Sequence, residues 1–182
     1  MSLWDGPKNT IIEARNYILF VIILFTAGLI YGYVNLQDNQ HFYEIFQNLL
    51  KTHQAKSYFP YIIKIFVRNS IVAYISMRFG IFLGIFPTFS SFFNGLMVGW
   101  LKTTFEKISG FNLFLLLLPH GIFELSAMFI AWGIGIWRVK LLFVPNFEEA
   151  AKVSLKRIHK VYVTVILPLL LIAAVIEGRA ML

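Results

Sequence analysis

The chain has 182 residues, and 58% of them are hydrophobic, 17% are aromatic and 14% are charged. An ordinary soluble domain carries about 25% charged residues, so this composition excludes that class and favours an integral membrane protein. The formal net charge of +7 fits contact with anionic lipid headgroups and control of membrane topology, and we expect no nucleic acid partner. The sequence has no cysteine, which excludes disulfides and thiolate metal sites.

Long apolar runs predict an all-α, multi-pass transmembrane helix bundle that forms a single domain over residues 1–182 of a cell-membrane protein. A helix of about 20 apolar residues crosses the hydrocarbon layer of a bilayer, and about five segments approach or meet that length. Because Pro87 fits the first turn of a helix, we place a turn near residues 86–88. The expected spans are 17–34, 65–86, 88–101, 113–137 and 161–177. If 88–101 were re-entrant, four spans would remain.

Two further segments are amphipathic and predict helices at the membrane surface, at about residues 41–53 and 147–160. The segment 138–160 holds six Lys and Arg residues next to two spans. The positive-inside rule therefore predicts that it is cytoplasmic. With five spans the amino terminus is also inside, whereas with four spans it is outside.

Glycines recur at a four-residue interval in two of the spans. Gly28 and Gly32 form one pair, and Gly95 and Gly99 form the other. Such pairs let transmembrane helices approach closely. We expect one pair to pack within the bundle and the other between subunits, which predicts a homodimer.

Ionisable residues at membrane depth are the candidate functional residues. His120 and Glu124 lie four residues apart, hence on one face of a helix, and Glu177 ends the last span. One imidazole and two carboxylates suit a divalent metal ion such as zinc, iron or manganese. Asn94 and Ser126 are candidates for a second shell or polar network. A hydrogen-bonded structural pair and a proton or ion pathway remain open as alternatives.

Three stretches carry a resemblance to a known family: "FFNGLMVGW", "LLPHGIFELSAMFIAWGIGIW" and "LLLIAAVIEG". Together they resemble the stage II sporulation protein M family of integral membrane proteins, over roughly residues 68–178. The resemblance implies a multi-pass membrane protein. In spore-forming bacteria the namesake acts with partners that remodel peptidoglycan during engulfment, so other membrane or envelope proteins are the expected partners.

Three functions fit these observations. The first is a scaffold or assembly partner in a membrane complex, and the second is a protein that handles or transports a metal ion. The third, an intramembrane metalloenzyme, has the least support, because the sequence has no G-x-x-x-x-G-K, G-x-S-x-G or H-E-x-x-H motif. We therefore favour a protein without catalytic activity.

Overall fold

A computed structural model describes residues 5–36, 44, 58–109 and 113–180 of the chain. The regular structure within these ranges is helical, which confirms the predicted all-α fold. The predicted amphipathic helix at 41–53 lies outside the described residues, apart from residue 44. The helices are α1 Asp5–Asn35, α2 Tyr58–Phe79, α3 Ile85–Ser109, α4 Leu113–Trp137, a 3₁₀ helix Arg138–Phe143, α5 Phe147–Val161, a π-helical turn Tyr162–Ile166 and α6 Leu167–Ala180.

In the described part of the chain the bundle has five helical rods, in which α1, α2, α3 and the rod of α5 and α6 pack around α4. The helix pair α1 and α3 packs on one side of α4, and the pair α2 and α6 packs on the other. The core lies between these layers, and Val21, Trp132 and Ile166 are among its fully buried side chains. Within the described residues, three helical segments are long and apolar enough to cross a membrane: Gly6–Asn35, Pro119–Phe143 and Phe147–Arg179. Helices α2 and α3 run alongside them.

Each of the two ends of the bundle carries ionisable side chains. We call the end that carries Lys140 and Arg157 the basic end, and the end that carries His120 and Glu177 the site end. Helix α2 runs between the two, because Tyr61 contacts Glu177 while the last turn of α2 contacts Arg138. Helix α1 begins at the basic end, where Glu13 pairs with Arg157 at 2.6 Å.

The predicted turn at 86–88 was misplaced. Helix α2 ends at Phe79 and α3 starts at Ile85, so the expected helices 65–86 and 88–101 have other boundaries. The turn depends on Leu83 and Gly84, whose φ angles of 56° and 64° lie in the left-handed region that ends helices. Pro87 instead occupies the first turn of α3, where its missing N–H group costs no helical hydrogen bond.

The predicted surface helix 147–160 and the last span form one continuous rod. The π-helical turn Tyr162–Ile166 joins α5 directly to α6 without a break. Pro168 follows this turn and has no N–H group to bond one turn back. The wider π turn accommodates that irregularity, so the rod continues. The basic residues of α5 therefore lie on a helix that continues directly into the last span.

Both glycine pairs are used within one chain, where α1 and α3 pack in parallel. A Cβ atom added at Gly28 would overlap the backbone of Phe92, and one added at Gly95 would overlap the backbone of Phe25. Gly32 and Gly99 make the same kind of backbone contact one turn further along. Because both pairs already make contacts within one chain, neither is available to pack against a second subunit. The homodimer stays a prediction, and these glycines no longer support it.

Buried Arg138 fixes the basic end of the bundle. It is 1% exposed, and its guanidinium donates to the carbonyl oxygens of Met77 and Arg78 at 2.8 and 2.7 Å. It also donates to the Ser154 hydroxyl at 3.2 Å. The carbonyls at the end of a helix have no partner within the helix and carry partial negative charge, so Arg138 caps α2.

We expect Gly95→Ala to lower the stability of the bundle by about 1–3 kcal/mol, because the added methyl group meets backbone atoms that cannot rotate away. Gly6→Ala is the matched control, since only the Lys160 side chain lies near its Cβ position, at 3.9 Å. The thermal transition of each variant in mild detergent measures the difference. Equal transitions for Gly95→Ala and the parent would contradict the close α1–α3 contact.

Candidate metal centre

Three potential metal ligands converge at the site end. His120 and Glu124 lie one turn apart on α4, and Glu177 lies near the end of α6. Each residue offers a nitrogen or carboxylate oxygen within 4.8 Å of the other two. The four-residue spacing explains why His120 and Glu124 share a face of α4. Packing of α6 against α4 brings in Glu177 from a distant part of the sequence.

The imidazole of His120 lacks a hydrogen-bond partner on one side. His120 is 8% exposed, and its Nδ1 atom is buried without a bond to the part of the chain that the structure describes. A buried polar atom left unpaired costs about 1–3 kcal/mol, so such atoms in native proteins usually bind water, an ion or a ligand.

Helix α2 supplies the polar groups that surround the two carboxylates. The Tyr61 hydroxyl donates to Glu177 Oε1 at 3.1 Å. The Asn69 side chain hydrogen-bonds to Glu124, and Arg68 is close enough to attract the same carboxylate. Tyr61 and Asn69 are eight residues apart, about two helical turns, which places them on one face of α2. That spacing was readable from the sequence, but the packing of this face on α4 and α6 was not.

The predicted second-shell residues Asn94 and Ser126 line a cavity that His120 and Glu124 also line. The amide of Asn94 donates to the Ser90 carbonyl at 2.7 Å, and the Ser126 hydroxyl donates to the Ile122 carbonyl at 2.6 Å. Both bonds stay within the residue's own helix. Their role as a second shell stays a prediction.

A cavity of about 460 Å³ adjoins His120 and Glu124. It is lined by α1, α3 and α4 and includes Gly121, where an added Cβ atom would meet no atom of the described residues within 4 Å. The remaining lining residues are Phe25, Asn94, Val98, Leu101, Ile122, Leu125, Ser126 and Phe129.

A family profile matches most of the chain. The profile described as stage II sporulation protein M matches residues 21–179, which include the three converging residues and four of the five rods almost completely. The chain belongs to the stage II sporulation protein M family. The match extends the resemblance seen in 68–178 back into α1. Stage II sporulation protein M family membership, together with helices able to span a bilayer, makes this an integral membrane protein.

A relative of this family member is the uncharacterized protein MJ0793 of Methanocaldococcus jannaschii. The two are 29% identical over 143 residues, which cover 72% of this chain and 75% of the relative. No solved structure matches the chain.

The types of potential ligand residue in this chain limit which metal ions the site could bind. One imidazole and two carboxylates suit zinc, iron or manganese. Three protein ligands leave at least one coordination position for water or another oxygen donor, as in metal sites that bind a second ligand. Asn69 and Tyr61 would fix the orientation of the two carboxylates.

Proposed function

We propose that this protein is a membrane scaffold or assembly partner whose helix bundle carries one divalent metal ion on His120, Glu124 and Glu177. The observation that carries the metal site is the convergence of three ligand atoms within 4.8 Å of one another. Zinc, iron and manganese are the candidate ions. Family membership supports the scaffold role, since the namesake acts with envelope partners.

Electrostatics favour a metal ion over a purely hydrogen-bonded pair. Glu124 and Glu177 are two carboxylates in one partly buried cluster, where unscreened like charges repel strongly. Arg68 is a cation that acts on Glu124, and it is exposed, so its charge is partly screened by its surroundings. A divalent ion between the carboxylates neutralises both at once and also gives His120 a partner.

The ion ties α4 to α6 in this proposal. Because Tyr61 and Asn69 hold the ligating carboxylates, α2 is linked to the same point. The ion thus fixes the site end, as Arg138 fixes the basic end. A rigid bundle whose basic end presents Lys140, Arg157 and the charged α5 helix suits docking of another protein at the membrane surface.

A second candidate function is metal-ion handling or transport, and an intramembrane metalloenzyme is a weaker third. The cavity next to His120 favours both over a purely structural metal, because a closed structural site needs no adjoining space.

Metal content tests the site. We expect protein purified without a histidine tag to hold about one equivalent of a single divalent metal, measured by mass spectrometry of the elements. His120→Ala and Glu124→Gln should lower metal affinity more than about 100-fold, since loss of a mere outer-shell partner costs about 10–100-fold. Glu148→Gln removes an exposed carboxylate at the start of α5 and is the matched control.

Thermal stability provides the second readout for the same variants. Metal at about 100 times its dissociation constant should stabilise the parent and Glu148→Gln by about 2.7 kcal/mol, and His120→Ala by far less. Substoichiometric metal in the parent, with no change in its thermal transition on adding zinc, iron or manganese, would leave His120 and Glu124 as a structural pair.

Partner capture tests the scaffold role. We expect the tagged parent, extracted from its native membrane in mild detergent, to retain a reproducible envelope protein that an unrelated multi-pass protein of similar size does not. Retention should fall in His120→Ala, because the site end is then loosened. Capture of the same proteins by the parent and by the unrelated control would contradict a scaffold role.

We also propose that 138–160 faces the cytoplasm, which the Lys and Arg residues on α5 support. His159 and Asn35 are exposed near opposite ends of the bundle, and the chain has no cysteine of its own. We expect His159→Cys to resist a membrane-impermeant thiol reagent in intact cells and Asn35→Cys to be labelled. After permeabilisation both should react. The opposite pattern in intact cells would reverse the orientation.

A further inference from the structure

The cavity beside His120 has two ionisable groups at one end and two aromatic rings further along α4. His120 and Glu124 lie about 10 Å and about 16 Å along α4 from its first residue. Leu125 and Phe129 continue the wall further along the helix, and Phe129 packs edge-on against Phe25 at 5.2 Å between ring centroids. The ionisable groups therefore lie nearer the site end of the bundle, and the aromatic rings lie nearer its middle.

Exposed side chains on two helices also line the cavity. Asn94 on α3 and Ile122 and Ser126 on α4 are all exposed at the surface of the described bundle. A volume of about 460 Å³ with mostly apolar walls is typical of sites that take a small organic ligand. The cavity is thus within reach of molecules dissolved in the bilayer.

Two observations point to a ligand. The buried Nδ1 atom of His120 has no partner in the described chain, and no atom of the described residues lies within 4 Å of the Cβ position of Gly121, the next residue. In contrast, Gly28, Gly95 and Gly133 are glycines against which another helix packs too closely for a side chain. Helix packing by the described residues does not require glycine at position 121, whereas room for a ligand does.

We infer that this cavity binds a single-chain anionic amphiphile, with an oxygen of its carboxylate or phosphate head on the metal ion and its alkyl chain along Phe25 and Phe129. The inference rests on the proposed metal site. A divalent ion with two carboxylates and a neutral imidazole is close to neutral overall, and its open position accepts an anionic oxygen. Without the ion, Glu124 and Glu177 would repel an anionic head.

Matched probes separate the contributions of head and chain. Radiolabelled hexadecyl phosphate is the main probe, and palmitate has a carboxylate in place of the phosphate. Hexadecanol has a neutral head, and inorganic phosphate has no chain. We expect the two anionic amphiphiles to bind the metal-loaded parent at least about tenfold more tightly than the other two, because neither the head nor the chain alone fills the site.

Gly121→Leu fills the cavity without changing a metal ligand. We expect it to keep its metal and to weaken binding of hexadecyl phosphate by at least about tenfold, since the added side chain occupies the space of the ligand. Gly6→Leu makes the same substitution at an uncrowded helical position outside the cavity and should bind like the parent. Removal of the metal from the parent by a chelator should weaken the anionic probes but not hexadecanol, a readout that does not depend on any variant folding.

The outcomes distinguish this inference from the proposed metal site. A parent that holds one equivalent of metal but binds hexadecanol as tightly as hexadecyl phosphate overturns the amphiphile site and leaves the metal site intact. Unchanged hexadecyl phosphate binding in metal-loaded Gly121→Leu does the same. A parent without metal overturns the metal site and the inference together. If the two anionic probes differ, the tighter one identifies the head as a phosphate or a carboxylate.

Discussion

The close contact between α1 and α3 is the constraint on which the rest of the bundle depends. Gly28 and Gly95 each bring their own helix against the backbone of the other, a distance that larger residues forbid. This contact sets where Phe25 lies, and Phe25 with Phe129 then walls the cavity beside α4. Dispersion between backbones is the main attraction available, because the lipid competes equally well for apolar side chains.

The two ends of the bundle differ in how fully the protein itself satisfies the hydrogen bonds of its buried polar groups. Arg138 is surrounded by oxygen acceptors from α2 and α5, so its charge is satisfied by carbonyl dipoles and a hydroxyl. The site end instead gathers two carboxylates and a histidine whose Nδ1 atom has no hydrogen-bond partner among the described residues. An arrangement that satisfies its own groups serves the fold, whereas one that leaves ligand atoms converging without enough protein partners is suited to binding something else.

The sequence predicted what depends on local spacing and missed what depends on packing. Helix type and the pairing of His120 with Glu124 follow from periodicity and from the length of apolar runs. The turn was misplaced because Pro87 is compatible with a helix start, while the left-handed Gly84 that directly precedes α3 has no unique sequence signal. Tyr61 was missed because its role requires knowing that α2 packs on α6. The sequence also did not show that the two glycine pairs face each other, because this too depends on how the helices pack.

The two halves of the bundle share close packing on α4, and the α2–α6 half adds buried polar contacts. Helices α1 and α3 meet α4 through small residues and close backbone packing, which needs no added component. Helix α2 also packs closely on α4, where Gly135 lies against the backbone of Ser76. The α2–α6 half has in addition the contacts of Arg138 at one end and the His120 cluster at the other, where the hydrogen bonds depend on charge being balanced. Since the ligands come from two helices and their support from a third, the site exists only in the assembled bundle. Any ion bound there would therefore stabilise the α2–α4–α6 half specifically.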